Sequence, residues 1–313
     1  MFARLARRLP SIALCAAAVC CAAAFGGRAE ADETCTHGGA GGIHQQPGVN
    51  CPYCAADDDV WRWRVLPPSL LFKPYIAGVK AARMAGVLNR VDGGRMGETT
   101  LDGSLGARIG IIRLGQDGPD ADGWQFDIEA AAFPRLNHDE EMDLDATDFR
   151  AGLPLSYRSG PTAISFGYDH ISTHVGDEFF ERNPDFERVN YSRDALLLGV
   201  RQDLSLELTV YGEAAYAFAR DGGSDPWVFQ FGAEYFDEIS PASGGPVAAA
   251  NVQLREEFEL GGRFTTVVGW QFREPETGRL LRFAAQYDAG KSPYDELFGE
   301  DETAIGLGVF YDF

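Results

Sequence analysis

The sequence predicts an all-β protein, an antiparallel up-and-down transmembrane β-barrel of about 12 strands. Runs of alternating apolar and polar residues recur along the chain, as in β-strands that have one apolar face. The polar rows contain many glycines and alanines, as a crowded interior requires, and aromatic residues recur near the ends of the apolar rows. These features favour a barrel whose apolar face is on the outside, in contact with lipid.

The first element of the chain is a predicted secretory signal peptide, residues 1–31. Basic residues precede the apolar run "SIALCAAAVCCAAAF", and Ala29 and Ala31 form the small-residue pattern of a cleavage site. The apolar run is short for a membrane-spanning helix, which needs about 20 apolar residues. We therefore expect the mature chain to be exported and to begin after Ala31.

A leader rich in Gly, Cys and Asp follows, residues 32–65, and is expected in the periplasm. Its cysteines are Cys35, Cys51 and Cys54. The stretch "CPYC" looks like the active-site motif of glutaredoxin-type oxidoreductases, but its flanks "QQPGVN" and "AADDD" favour neither the strand nor the helix that this motif requires. A disulfide with one thiol left over is the favoured interpretation in an exported protein. The alternative is a metal site that includes His37 and His44.

Residues 66–313 are predicted to form the barrel. The alternating runs lie near residues 82–91, 101–114, 123–134, 144–158, 161–175, 189–203, 205–219, 226–237, 247–258, 262–273, 279–289 and 302–313. In "WQFDIEAAAF", for example, every second residue from Trp124 is apolar, and the residues between them are polar or small. The even number of runs, many of them about ten residues long, is what a bacterial outer-membrane barrel needs.

Charged residues of both signs fall on the polar rows, which the prediction places in the lumen. They are Arg108, Asp127, Glu129, Arg150, Glu207, Glu213, Glu234, Arg255, Glu257 and Arg282. Interleaved opposite charges inside a barrel of this size are expected to pair and fill it, which leaves little open channel. A narrow selective pore is the alternative.

The last strand carries a localisation signal. "AIGLGVFYDF" keeps its apolar residues in register up to the carboxyl-terminal Phe313, and it resembles the assembly signal of Gram-negative outer-membrane barrels. This resemblance implies the outer membrane as the location, the barrel-assembly machinery as a partner, and membrane lipid and lipopolysaccharide as surroundings. The formal net charge of −20 falls to about −23 when the signal peptide leaves with four arginines and one glutamate, which argues against a nucleic-acid partner.

The stretch "FGYDHISTHVGDE" contains the candidate site. His170, Ser172 and His174 continue the row of Ile164, Phe166 and Tyr168, so the prediction turns them toward lipid. In the next strand Asn190, Ser192 and Asp194 occupy the lipid row, and antiparallel pairing brings them beside His170 and Ser172. Polar groups that face hydrocarbon are costly unless they lie near the interface or have a function. A hydroxyl, an imidazole and a carboxamide or carboxylate form a nucleophile, base and orienting group.

This His-x-Ser pattern on an outward strand, with Asn on the next strand, resembles outer-membrane phospholipase A, and lipid A 3-O-deacylase is similar. The resemblance implies Ser172 as the nucleophile, His170 as the general base, and Asn190, with Asp194 as substitute, as the group that orients the imidazole. If calcium assists, as in the phospholipase, Asp177 and Glu178 are its candidate ligands. Thr173 stands where those enzymes have Asn after the serine, and His174 is extra.

The alternative to a serine-dependent lipid esterase is a structural or narrow-pore transport barrel. In that case His170, Ser172 and His174 form a polar cap at the membrane interface, hydrogen-bonded to lipopolysaccharide headgroups and loops. A broader resemblance covers about residues 65–313: the runs "NYSRDALLLGV", "YGEAAYAF", "PWVFQFGAEY", "NVQLREE" and "GWQFR" look like the bacterial domain-of-unknown-function family 1207. That resemblance implies the barrel fold and no particular activity.

Overall fold

The computed structural model describes residues 60–237, 239–240 and 242–313. The predicted signal peptide of residues 1–31 lies outside the described residues, as do the three cysteines of the leader. What is described is mostly β-strand, with short connections.

The strands are β1 (Arg62–Val65), β2 (Met84–Gly93), β3 (Thr99–Gly115), β4 (Gly123–Asn137), β5 (Asp143–Ser159), β6 (Thr162–Val175), β7 (Ser192–Asp203), β8 (Leu208–Asp221), β9 (Trp227–Phe236), β10 (Gly245–Arg255), β11 (Gly261–Arg273), β12 (Leu280–Lys291) and β13 (Asp301–Asp312). One helix, α1 (Asp177–Arg182), and 3₁₀ turns at His138–Glu140, Glu256–Phe258 and Asp295–Leu297 lie between them. None of the helices in the described part of the chain is long and apolar enough to cross a membrane.

Strands β2 to β13 form a closed antiparallel barrel. Each pairs with the next, and β13 returns to β2, with Tyr311 opposite Met84 and Glu302 opposite Gly93. The short β1 pairs with the end of β3, from Arg62 opposite Gly115. Closure leaves the barrel no unpaired strand edge, which is the condition for β-structure in a bilayer. The predicted all-β antiparallel barrel of about 12 strands is confirmed. We call the end with the last residue of the chain the base and the opposite end the rim.

The barrel is apolar outside and polar inside. Leu307 on the outer face of β13 is 72% exposed, whereas Arg135 on the inner face of β4 is fully buried. The same alternation runs along the other strands: Leu88, Leu105, Ile109, Phe166 and Leu198 are exposed on the outside. A soluble barrel has the reverse arrangement, so the outer apolar row is the surface that faces lipid.

Charges in the lumen are paired, as the sequence predicts. Arg135 bonds Asp102 at 2.7 Å and Glu302 at 2.8 Å. Arg150 bonds Asp169 at 2.6 Å and Glu129 at 3.0 Å. The pairing neutralises charges that are costly to bury alone.

Two residues of the predicted lumen row lie in turns and not on strands. Glu207 is in the turn between β7 and β8 at the base, where its carboxylate accepts a hydrogen bond from Ser205. Glu257 is in a 3₁₀ turn at the rim and pairs with Arg255 at 3.3 Å. Both positions follow from where the strands end, which alternation alone does not determine.

Residues 66–83 join β1 to β2, and from Ser69 onward they lie inside the barrel; we call residues 66–83 the lumen segment. Tyr75 stacks on Tyr211 of β8, with 3.8 Å between ring centroids. The Ile76 N–H donates to Glu234 of β9 at 2.6 Å. Since these contacts reach inward-facing residues of the wall, the segment fills space that the barrel alone leaves empty.

The lumen segment reaches from the base toward the rim. Near the base, Ser69 donates to the Gly118 carbonyl at 2.7 Å. Toward the rim, the Lys80 ammonium contacts the Asp148 carboxylate, and Asp295 lies 3.8 Å from it. Cavities of about 110 and 90 Å³ border the segment against different walls. The segment thus occupies part of the lumen between the base and the rim.

Candidate active site

His170 and Ser172 lie on the outer face of β6, near the rim. Their neighbours Asp169 and Thr173 are buried in the lumen, while Phe166 in the same row as His170 is exposed. The His170 side chain is 37% exposed. The two residues therefore lie on the lipid-facing surface, where the sequence places them.

Asp194 is the residue that meets His170. The two are directly opposite in the pairing of β6 with β7, and His170 Nδ1 lies 2.8 Å from Asp194 Oδ1. Tyr168 donates its hydroxyl to the same carboxylate oxygen at 2.5 Å. When Nδ1 carries the proton and donates it to a carboxylate, Nε2 of the neutral ring is left with a lone pair and can act as a base.

Ser172 shares this surface with the imidazole. It follows His170 by two residues, which separates the Cα atoms by about 6.7 Å along the strand. It lies opposite Phe149 of β5 and Ser192 of β7. In the described residues no hydrogen bond joins Ser172 to His170, and in enzymes without substrate such contacts are commonly long and shorten in the complex.

Asn190 lies before the start of β7 and is exposed. It has a φ of 53°, and its backbone N–H donates to Glu296 at 3.1 Å. Its position is four residues from Asp194, about 13 Å in an extended chain. The structure therefore brings Asp194, and not Asn190, to the imidazole.

The site has a support that the sequence did not indicate. Glu296, in the connection between β12 and β13, is buried and accepts the backbone N–H groups of Val189, Asn190 and Tyr191 at 2.7, 3.1 and 3.4 Å. This anchors the chain that enters β7 two residues before Asp194. The only signal in the sequence is an acidic residue in a short loop, which is too common to identify a partner 105 residues away.

A second support lies on the lumen side of the same strands. Thr173, which follows Ser172, donates its hydroxyl to Asp148 of β5, and Asp148 also accepts the Lys80 ammonium. These inward contacts fix the backbone from which Ser172 projects outward.

Asp177 and Glu178 lie in the first turn of α1 and are exposed. Calcium takes about six to eight oxygen ligands in proteins. Among the residues that the structure describes, no group of three or more His, Cys, Asp or Glu side chains is placed to hold a metal ion. Asp177 and Glu178 alone supply too few oxygen ligands for a calcium site.

A model of the protein family described as "Protein of unknown function (DUF1207)" matches residues 28–313. The chain belongs to the DUF1207 family. A comparison of the sequence with curated proteins gave no match.

Outer-membrane phospholipase A from Escherichia coli is structurally similar to this DUF1207 protein. The TM-score is 0.50 with 13% identity, over 76% of this chain and 93% of the phospholipase. An active-site mutant of the same phospholipase at pH 6.1 gives 0.52 and 14% over 85% and 95% of the two chains. The Salmonella typhi enzyme, a dimer with bound calcium, gives 0.51 and 13% over 74% and 91%. At this identity the likeness shows the outer-membrane barrel fold alone.

Proposed function

We propose that this barrel is a serine esterase of the outer membrane that cleaves acyl esters of phospholipid or lipid A at its outer surface. The observation that carries the proposal is the 2.8 Å contact of His170 with Asp194, on the lipid-facing surface and in the same row as Ser172. A carboxylate, an imidazole and a hydroxyl in this order form the arrangement of a serine hydrolase.

In the proposed reaction Asp194, His170 and Ser172 have different roles. Asp194 holds His170 with its proton on Nδ1 and stabilises the imidazolium that forms later. His170 Nε2 accepts the proton of Ser172 as Oγ attacks the ester carbonyl. His170 then gives this proton to the leaving alcohol when the C–O bond breaks. Water, deprotonated by His170, hydrolyses the acyl-enzyme, and Ser172 recovers its proton.

The surroundings of Ser172 suit a substrate that arrives through the membrane. Phe149 lies across from Ser172 on β5, and Ile164 and Phe166 continue the row toward the membrane. These exposed apolar side chains contact acyl chains and place the ester near the interface. The narrow-pore alternative has less support, because the lumen segment occupies the channel that it requires.

A fluorophosphonate probe tests the proposal directly. The mature protein is refolded in detergent and labelled beside Ser172→Ala, His170→Ala and Asp194→Asn, with and without calcium. We expect labelling of the wild type, none in Ser172→Ala, and strongly slowed labelling in the other two. Asn190→Ala is the matched control and labels like the wild type. A folded wild-type barrel that is not labelled under either condition would refute the esterase and favour the structural or pore barrel.

A further inference from the structure

Arg188 lies beside the proposed site, on the rim side of Ser172. Its Nη2 is 2.7 Å from His174 Nδ1, and His174 is the next outward residue after Ser172 on β6. Arg188 belongs to the connection between β6 and β7, and its side chain is 36% exposed. A guanidinium thus lies on the outside of the barrel and contacts His174, whose Cα is about 6.7 Å along the strand from that of the proposed nucleophile Ser172.

This arginine is held in place before any ligand binds. Nη2 also donates to the Thr173 carbonyl at 3.4 Å, and Nε lies 3.7 Å from the buried carboxylate of Glu296. His174 is itself fixed by an edge contact with Phe149, with 5.9 Å between ring centroids. Glu296 accepts its hydrogen bonds from three backbone N–H groups and not from Arg188, whose Nε lies beyond hydrogen-bond distance.

The donors that remain point to an anion. Arg188 Nη2 donates to His174 Nδ1, so His174 carries its proton on Nε2, a second donor. Nη1 of Arg188 has no hydrogen-bond partner among the described residues. By contrast, Arg90, also outward near the rim but four strands away, is paired with Glu98 at 2.5 Å. A planar guanidinium beside a second N–H donor matches the oxygens of a phosphate.

We infer that Arg188 and His174 bind the phosphate of the lipid whose acyl ester Ser172 attacks. This inference rests on the proposed esterase function and adds the residues that would recognise the phosphate, the group that phospholipid and lipid A share. The row on β6 then follows the order of groups in such a lipid, with acyl chain at Phe166, ester at Ser172 and phosphate at His174.

Matched lipids with and without the phosphate test the inference. Rates in mixed micelles are compared for phosphatidylethanolamine and for diacylglycerol with the same acyl chains. Arg188→Gln is expected to lower the ratio of the phosphatidylethanolamine rate to the diacylglycerol rate by about ten- to a hundredfold, the range for a hydrogen bond to a charged group. Arg188→Lys restores part of it, and Arg90→Gln leaves it unchanged. Equal losses in Arg188→Gln and Arg90→Gln, or equal losses on the two lipids, would overturn the inference.

A binding measurement separates this inference from the esterase proposal. In the Ser172→Ala protein, which has no hydrolysis to report, adding Arg188→Gln is expected to weaken binding of a short-chain phosphatidylethanolamine by tenfold or more. If the wild type hydrolyses neither lipid, the esterase fails and this measurement alone decides the phosphate site. The same binding measurement with lipid A in place of phosphatidylethanolamine shows which of the two lipids supplies the phosphate. Displacement by inorganic phosphate at lipid-like concentrations contradicts a lipid site.

Discussion

Replacement of Lys80 by Met removes the positive charge that the lumen segment places between two buried carboxylates. The Lys80 side chain is 10% exposed, and Asp148 and Asp295 are at most 6% exposed. Asp295 keeps an ion pair with Arg255 at 2.8 Å after the change. Among the described residues, Asp148 then keeps the neutral donors Thr173 and the Asp295 N–H, so its charge is left buried and uncompensated.

The size of the effect follows from this loss. Removal of one partner of a buried ion pair destabilises a protein by about 3–5 kcal/mol, because the other charge stays in a medium of low polarity. The matched control is Lys73→Met in the same segment. Its partner Asp120, at 2.7 Å, is 55% exposed, and loss of such a surface pair costs about 0–1 kcal/mol.

Urea unfolding of the refolded barrel, followed by tryptophan fluorescence and by gel mobility, measures both changes. We expect Lys80→Met to lower the free energy of unfolding by several kcal/mol more than Lys73→Met does. Lys80→Arg, which keeps the charge, recovers part of the difference. Equal effects of the two methionine variants would refute the conclusion that the lumen segment is anchored at Asp148.

Three further predictions concern the site, the wall and the lumen. Asp194→Asn slows fluorophosphonate labelling by about 10³- to 10⁴-fold, because the amide favours the wrong imidazole tautomer; labelling kinetics measure this. Gly232→Val lowers the free energy of unfolding in urea by about 1–3 kcal/mol, since a Cβ there meets the Tyr211 hydroxyl at 2.2 Å, whereas Gly86→Ala, with 3.9 Å to its nearest atom, is tolerated. Replacement of residues 70–78 by a Gly-Ser chain of equal length raises ion conductance in planar bilayers, and an unchanged conductance would contradict a lumen closed by this segment.

The fold was predictable because each strand records its environment in a period of two. An outer apolar row and an inner polar row define the strand, its orientation and the face on which His170 lies. The orienting residue was not predictable with the same security. Asn190 and Asp194 both occupy the lipid row of the sequence, and a slide of the register by an even number of residues exchanges them without changing either face. The observed pairing of His170 with Asp194 resolves this choice.

The lumen segment escaped prediction for a different reason. Its sequence "LPPSLLFKPYIAGVKAAR" lacks the alternation of a strand, and its partners are far away in the chain. Tyr75 stacks on Tyr211, and Ile76 donates to Glu234, 158 residues away. Local patterns carry no information about such contacts, which form only when the barrel closes.

A filled lumen is compatible with the proposed active site on the outer face, because β5 and β6 carry different residues on their two faces. Thr173 turns inward to Asp148, while Ser172 and His174 on either side of it turn outward. In a strand the positions of outward side chains follow from those of their inward neighbours, since one backbone carries both. Contacts that hold Asp148 in the lumen therefore also fix the position of Ser172 at the surface. A filled lumen is a rigid support for the proposed esterase and an obstruction for a pore, and the ionic contacts of Lys80 hold in place the segment that fills it.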